Sequence, residues 1–208
     1  LCRAYASHYP ENVIGLVTIS TNLKFVADAS YKKAMPASDF ELFSALWDKN
    51  PELCINRFAG LQAQGDQSQR QLIKQLRQLN SSVDIDTGKA MLRLLADLDA
   101  TEQINKITCP SLSIFGGQDC LVPVAAAQQL PHKQMTLILE EAGHLPHLTC
   151  QSKVVEAIAN FIDRTKYQLN KRQVAQSFGR AAETYDSAAQ IQKWSGEQLI
   201  SGLDSSKK

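Results

Sequence analysis

Two segments, CPSLSIFGGQD (109–119) and QMTLILEEAGH (134–144), constrain the fold more than any other part of the chain. Each is a short apolar, β-branched run that stops at a turn signal, and the helical pattern PVAAAQQL (123–130) lies between them. Strand, helix, strand predicts a parallel sheet, because parallel neighbours need a crossover that returns the chain to the same end. Both turns then fall at the carboxyl ends of adjacent strands, the edge of an open α/β sheet where ligand sites form.

The rest of the chain is legible around that sheet. LCRAYASHYP (1–10) has small and apolar residues at helical spacing and ends at Pro10, and VIGLVTIS (13–20) is a compact β-rich run, so a helix leads into a buried strand. From Ser38 to about Leu98 the runs FELFSALW, LCINRFAGLQ, QRQLIKQLRQL and GKAMLRLLADL are helical, separated by NP, QGDQS and NSSVDIDTG. That stretch has no strand signal and reads as an inserted helical cap. KVVEAIANFIDR (153–164) is an amphipathic helix suited to covering one sheet face. After Tyr167 the sequence is helical but polar, with no strand to pack on, and it reads as the start of a second unit. No internal repeat is present.

With 208 residues, 44% hydrophobic and 21% charged, the chain can bury an ordinary core, and one domain, or one domain plus a fragment, fits the length. A formal net charge of +1 gives no global reason to bind nucleic acid or a membrane surface, so an acidic partner would need a local patch. The five cysteines, at positions 2, 54, 109, 120 and 150, have no CxxC pairing. That argues against a structural zinc site and a disulfide framework and fits a reducing cytoplasm. The N-terminus has no apolar core of signal-peptide type, and no run approaches the roughly 18 to 20 apolar residues of a transmembrane helix. Position 1 is not Met, so the sequence is expected to be part of a longer chain.

Chemistry concentrates at the two turns. FGGQDCLVP places Asp119 just after one strand, and EEAGHLPH places His144 just after the next. An imidazole can take a proton from a hydroxyl and return it to a leaving group, while a carboxylate on its other nitrogen fixes the tautomer and stabilises the imidazolium. Asp119 therefore reads as the orienting acid and His144 as the base. Singly, an aspartate after Gly-Gly is an ordinary turn former and a loop histidine needs no role; the pair, in this order and at these strand ends, points to a triad. Acid before histidine is the order of α/β-hydrolases, whose serine comes earlier on a G-x-S-x-G elbow between a strand and a helix. None of the 208 residues forms that elbow, and LCRAYASHYP resembles the helix such an elbow would launch, so the nucleophile is expected before Leu1. His8, His132 and His147 have no comparable partner and read as structural or surface residues.

LCRAYASHYPENVIGLVTIS, NRFAGLQAQGDQSQRQLIKQL, DLDATEQINKITCPSLSIFGGQDCLVP and EEAGHLPHL together resemble the pimeloyl-acyl-carrier-protein methyl ester carboxylesterases of biotin synthesis (BioH), in collinear order over about residues 1–165. The Gly-x-x-Asp-x-Leu-Val-Pro and Ala-Gly-His turns are common across α/β-hydrolases, whereas the cap segment RFxxLQxxG is narrower and carries the family resemblance. It implies an α/β-hydrolase fold and a Ser–Asp–His triad in which Asp119 and His144 match the acid and base, with the serine and oxyanion-hole segment before Leu1. It also implies that Phe58 and Gln62 line the substrate channel and that Arg57, Arg70 and Lys74 face the acidic carrier protein, where opposite charge speeds encounter. Charges on one side of a cap helix are equally what a solvated face looks like, and Leu53 stands where the family has a further arginine. No cofactor or metal is implied for the esterase part.

NKRQVAQSFGRAAETYDSAAQIQKWSGEQLISGL (170–203) resembles the opening helices of the malonyl-acyl-carrier-protein O-methyltransferases (BioC), with FGRAAxxY as the recognisable core. That implies S-adenosylmethionine as cofactor, held in the family by a DxGCGxG loop after the first strand; the 208 residues contain no such loop. The two resemblances together imply a fusion: an α/β-hydrolase esterase part over 1–166 with its cap at about 38–98, then the N-terminal helices of a class I methyltransferase over 167–208. The expected reaction is hydrolysis of the methyl ester of pimeloyl-acyl-carrier-protein, with these residues alone inactive. A generic α/β-hydrolase acting on small esters or lactones and a non-catalytic hydrolase-like scaffold would carry the same turns. Without further strands the sheet would present an open edge and apolar surface, so poor solubility is expected of the 208 residues alone.

Overall fold

The computed structural model describes residues 1–79, 84–131, 134–165 and 196–201; His132 and the FGRAAxxY stretch lie outside the described residues. Helix α1 (Cys2–His8) leads into strand β1 (Leu16–Ile19). Four helices follow, α2 (Ala37–Lys49), α3 (Pro51–Ala63), α4 (Gln69–Leu79) and α5 (Ile85–Ala96), and then the short α6 (Gln103–Lys106). Strands β2 (Ser111–Gly116) and β3 (Met135–Leu139) come next, followed by the short α7 (Pro146–Thr149) and the longer α8 (Gln151–Thr165).

The three strands form one parallel sheet in the order β1-β2-β3, with Leu16 opposite Ser111 and Leu112 opposite Met135. Central β2 is buried along its whole length, and its two serines are hydrogen-bonded there, Ser111 Oγ donating to the Cys109 carbonyl (3.1 Å). Leu112, Ile114 and Leu139 pack on one face against Val154, Ile158 and Phe161, residues at helical spacing along α8. Phe115 points to the opposite face, into a cluster with Ala6 of α1, Leu16, Ile104 and Ile107. A side-chain bond between Thr18 and Ser113 Oγ (2.9 Å) ties β1 to β2.

The segment PVAAAQQL forms a 3₁₀ helix, Val124–Gln129, rather than an α-helix. Pro123 precedes it and the Leu130 N–H bonds the Ala127 carbonyl, three residues back, so the stretch tightens to three residues per turn. The crossover to parallel β3 is completed by this 3₁₀ segment.

The helices between β1 and β2 begin at the predicted separators. Asn50 caps α3 by accepting the Leu53 N–H with Pro51 behind it, and Asp84 caps α5 by accepting the Thr87 N–H. Phe40 and Trp47 of α2, Cys54 of α3 and Leu92 of α5 form a core inside the cap. A second cluster, Ala59 and Ala63 of α3 with Leu72 and Leu76 of α4, closes on Leu145 and Leu148. Through it α3 and α4 rest on the segment that follows His144.

Candidate active site

The turns after β2 and β3 are laced together by their backbones. The Gly117 N–H donates to the Leu139 carbonyl (2.8 Å) and the Gln118 N–H to the Ala142 carbonyl (2.9 Å). Only glycine permits that approach: a Cβ on Gly116 would lie 2.0 Å from the Gly143 oxygen, and one on Gly117 would lie 2.7 Å from the Glu140 Cα. The Gly-Gly of FGGQD is therefore what lets the two turns close on each other.

Within this frame Asp119 divides its carboxylate. Oδ1 accepts the N–H groups of Leu121 and Val122 (2.8 and 2.9 Å), and Oδ2 lies 2.9 Å from His144 Nδ1. The Asp119 side chain is fully buried, while the His144 ring keeps 17% of its surface exposed. An ionised carboxylate can only accept, so Nδ1 carries the proton and Nε2 is left as the acceptor. This arrangement can take a proton at Nε2 and hold the resulting imidazolium against a buried carboxylate.

Phe58, on α3, is half-buried and meets Phe43 of α2 edge-on, with ring centroids 5.9 Å apart. Gln62, one turn further, is 6% exposed, and its Oε1 has no hydrogen-bond partner among the described residues. It lies between Ala59 and Ala63, which pack on Leu145, the residue after His144. Arg57 on α3 and Arg70 and Lys74 on α4 are all exposed, the latter two one turn apart. Leu53 is 52% exposed on α3, an apolar residue in solvent on the helix that carries Arg57.

Three further residues carry no signal in the sequence pattern. Ser20, just past the carboxyl end of β1, adopts a left-handed backbone (φ 47°), and its buried hydroxyl has no partner among the described residues. His147 is largely buried; burial first, and then the neighbouring His144, push its pKa down to about 4. His8, by contrast, is exposed. Asp66, in the segment QGDQS between α3 and α4, accepts the Gly143 N–H at Oδ2 (3.2 Å). The Gly-Asp pair is recognisable in the sequence as a turn, but a partner 77 residues away leaves no local pattern. Among the described residues no group of three or more His, Cys, Asp or Glu could hold a metal ion, and no helix is long and apolar enough to cross a membrane.

No protein-family model matches the chain. It is 34% identical over 202 residues to the biotin biosynthesis bifunctional protein BioHC of Cellvibrio japonicus, a match covering 95% of this chain and 40% of that protein. It is 30% identical over 163 residues to the pimeloyl-[acyl-carrier protein] methyl ester esterase of Vibrio parahaemolyticus, covering 75% of this chain and 63% of that one. The chain thus spans less than two thirds of either relative. Among solved structures it is similar to the hydrolase olei00960 from Oleispira antarctica (TM-score 0.70, 18% identity, 78% of this chain and 60% of that one). It is also similar to the esterase EaEST from Exiguobacterium antarcticum (TM-score 0.67, 17% identity, 77% and 63%).

Proposed function

The chain is a BioH-like protein of the α/β-hydrolase fold, and from that premise we propose that Asp119 and His144 are the acid and base of a Ser–Asp–His esterase that hydrolyses the methyl ester of pimeloyl-acyl-carrier-protein in biotin synthesis. The observation that carries the proposal is the 2.9 Å bond between His144 Nδ1 and Asp119 Oδ2, made at the carboxyl ends of neighbouring parallel strands. In this reading a serine from outside the 208 residues attacks the ester carbonyl while His144 Nε2 takes its proton. The proton then passes to the departing methoxide, methanol leaves, and the pimeloyl group stays on the serine as an acyl-enzyme. His144 next deprotonates a water that attacks the acyl-enzyme and returns the proton to the serine, freeing the acid.

The cap residues have parts in the same reading. Phe58 and Gln62 line the substrate channel; the unpartnered Gln62 Oε1 is an acceptor, and since the pimeloyl chain and its methyl ester carry no donor, its partner there is a bound water. Arg57, Arg70 and Lys74 receive the anionic acyl carrier protein. The BioHC relative matches 95% of the chain and the esterase-only relative 75%; the additional fifth is the size of segment 167–208. That supports an esterase part over 1–166 and the start of an S-adenosylmethionine-dependent methyltransferase over 167–208. The 208 residues contain no DxGCGxG loop, so no residue here is assigned to that cofactor.

In the intact protein, His144→Ala is expected to abolish turnover of the carrier-bound methyl ester with the fold retained, at a stability cost of roughly 1–3 kcal/mol because the buried Asp119 Oδ2 loses its partner. Unchanged turnover removes the proposal. The 208-residue chain alone is expected to release no methanol from the same substrate.

A further inference from the structure

We propose that the loop 64–66 of the cap is a positioning element for the acid–base pair, and that Asp66 acts by holding the Gly143 amide and hence the His144 turn. The proposal rests on the reading of Asp119 and His144 given above. Asp66 is 8% exposed and makes no ion pair among the described residues, so its carboxylate is buried on hydrogen bonds alone. One oxygen serves the local turn, accepting from the Ser68 N–H (3.4 Å) and hydroxyl (3.2 Å). The other leaves the turn and takes the Gly143 N–H at 3.2 Å. A turn-forming aspartate needs only the first of these and can stay in solvent.

The neighbours of Asp66 make independent contacts with the same two turns. Gly65 has φ +84°, and a Cβ there would come 2.5 Å from the Gln118 carbonyl oxygen, next to Asp119. A Cβ on Gly143, next to His144, would come 2.8 Å from the Gln64 carbonyl oxygen. Three consecutive residues therefore press on the residue before the acid and on the residue before the base. The loop is itself fixed at both ends, with the Asp66 N–H on the Ala63 carbonyl and the Gln69 N–H on the Asp66 carbonyl (3.2 Å each). Displacements of the cap helices α3 and α4 are thereby passed to the His144 backbone, and a base displaced by a fraction of an ångström loses rate.

The test compares Asp66→Ala, Asp66→Glu and Asp66→Asn in the intact protein. Alanine removes both acceptors and glutamate keeps the charge but moves them by a methylene; asparagine with its oxygen towards Gly143 keeps that acceptor, while its N–H groups face Ser68, whose hydroxyl oxygen can receive one of them. Asp66→Ala and Asp66→Glu are expected to lower kcat about tenfold at unchanged KM. They are also expected to speed hydrogen exchange at the Gly143 amide and to weaken the low-field Nδ1–H resonance of His144, while Asp66→Asn retains all three properties. Should alanine not fold, glutamate decides. Wild-type kcat together with wild-type Gly143 protection in Asp66→Glu overturns the positioning role, provided that His144→Ala is inactive. An active His144→Ala overturns the reading of the pair itself, and with it the premise of this proposal.

Discussion

Asp119 and His147 show how one residue's surroundings decide its chemistry. In Asp119→Asn the side-chain oxygen can still accept from Leu121 and Val122, but the other arm presents N–H groups to His144 Nδ1. Nδ1 must then give up its proton and Nε2 becomes the donor, the wrong tautomer for a base, so kcat of the intact protein is expected to fall about 10³- to 10⁴-fold with the fold retained. Asp119→Ala leaves two buried N–H groups unpaired and costs stability as well, roughly 1–3 kcal/mol for each, so thermal unfolding separates the two variants. His147 titrates well below its ordinary value of 6.5, at about 4, because burial and the neighbouring His144 disfavour its cation. The folded chain then binds fewer protons than the unfolded chain between these values. The stabilising contribution is complete above pH 6.5 and is withdrawn as the pH falls towards 4, by roughly 3 kcal/mol at most. Urea unfolding across that window is expected to show a shallower loss for His147→Phe than for the native chain; parallel curves would mean that His147 charges freely in the fold.

Elements pair through features that intrinsic propensity misjudges, and Gly88 in α5 is a measurable case. In an exposed helix interior a Gly→Ala change is worth about 1 kcal/mol of stability. Here a Cβ would sit 2.0 Å from the Trp47 ring, whose indole N–H donates to the Ile85 carbonyl (3.3 Å). Overpacking against a large ring costs roughly 1–3 kcal/mol, so Gly88→Ala is expected to lower the urea midpoint and shift the Trp47 fluorescence. A raised midpoint would place Trp47 elsewhere. The helix α4 was legible because Leu72 and Leu76 recur at helical spacing in an otherwise polar run, and α3 and α5 because Asn50-Pro51 and Asp84 announce their starts. The Asp119 and His144 turns were legible because each follows an apolar run directly. The 3₁₀ form of Val124–Gln129 was not, since its alanines fit either helix. Nor was the loop 64–66 legible as part of the site: its partners Gln118 and Gly143 belong to the turns after two strands far along the chain, and only the closed fold brings backbone to backbone.

At the scale of the whole molecule, a net charge of +1 hides an uneven distribution. Lys24, Lys89 and Lys153 each pair with a carboxylate, whereas Arg57, Arg70 and Lys74 stand exposed on α3 and α4 with no ion pair among the described residues. On α4 the apolar side chains Leu72 and Leu76 face the cluster beneath, which leaves Arg70 and Lys74, together with Arg77, on the outer surface. Reversing charges there removes no packing, so the fold is expected to tolerate it. An anionic carrier protein would feel the change at long range, through the encounter rate, and a small uncharged ester would not. For the intact protein carrying Arg57→Glu, Arg70→Glu and Lys74→Glu, kcat/KM on the carrier-bound methyl ester is therefore expected to fall at least tenfold and to lose most of its dependence on ionic strength. On a free short-chain methyl ester it is expected to stay within about twofold, since an uncharged substrate takes nothing from steering. An equal loss on both substrates would make the three cations structural supports of the cap, and an equal retention on both would make them a solvated face with no partner to steer.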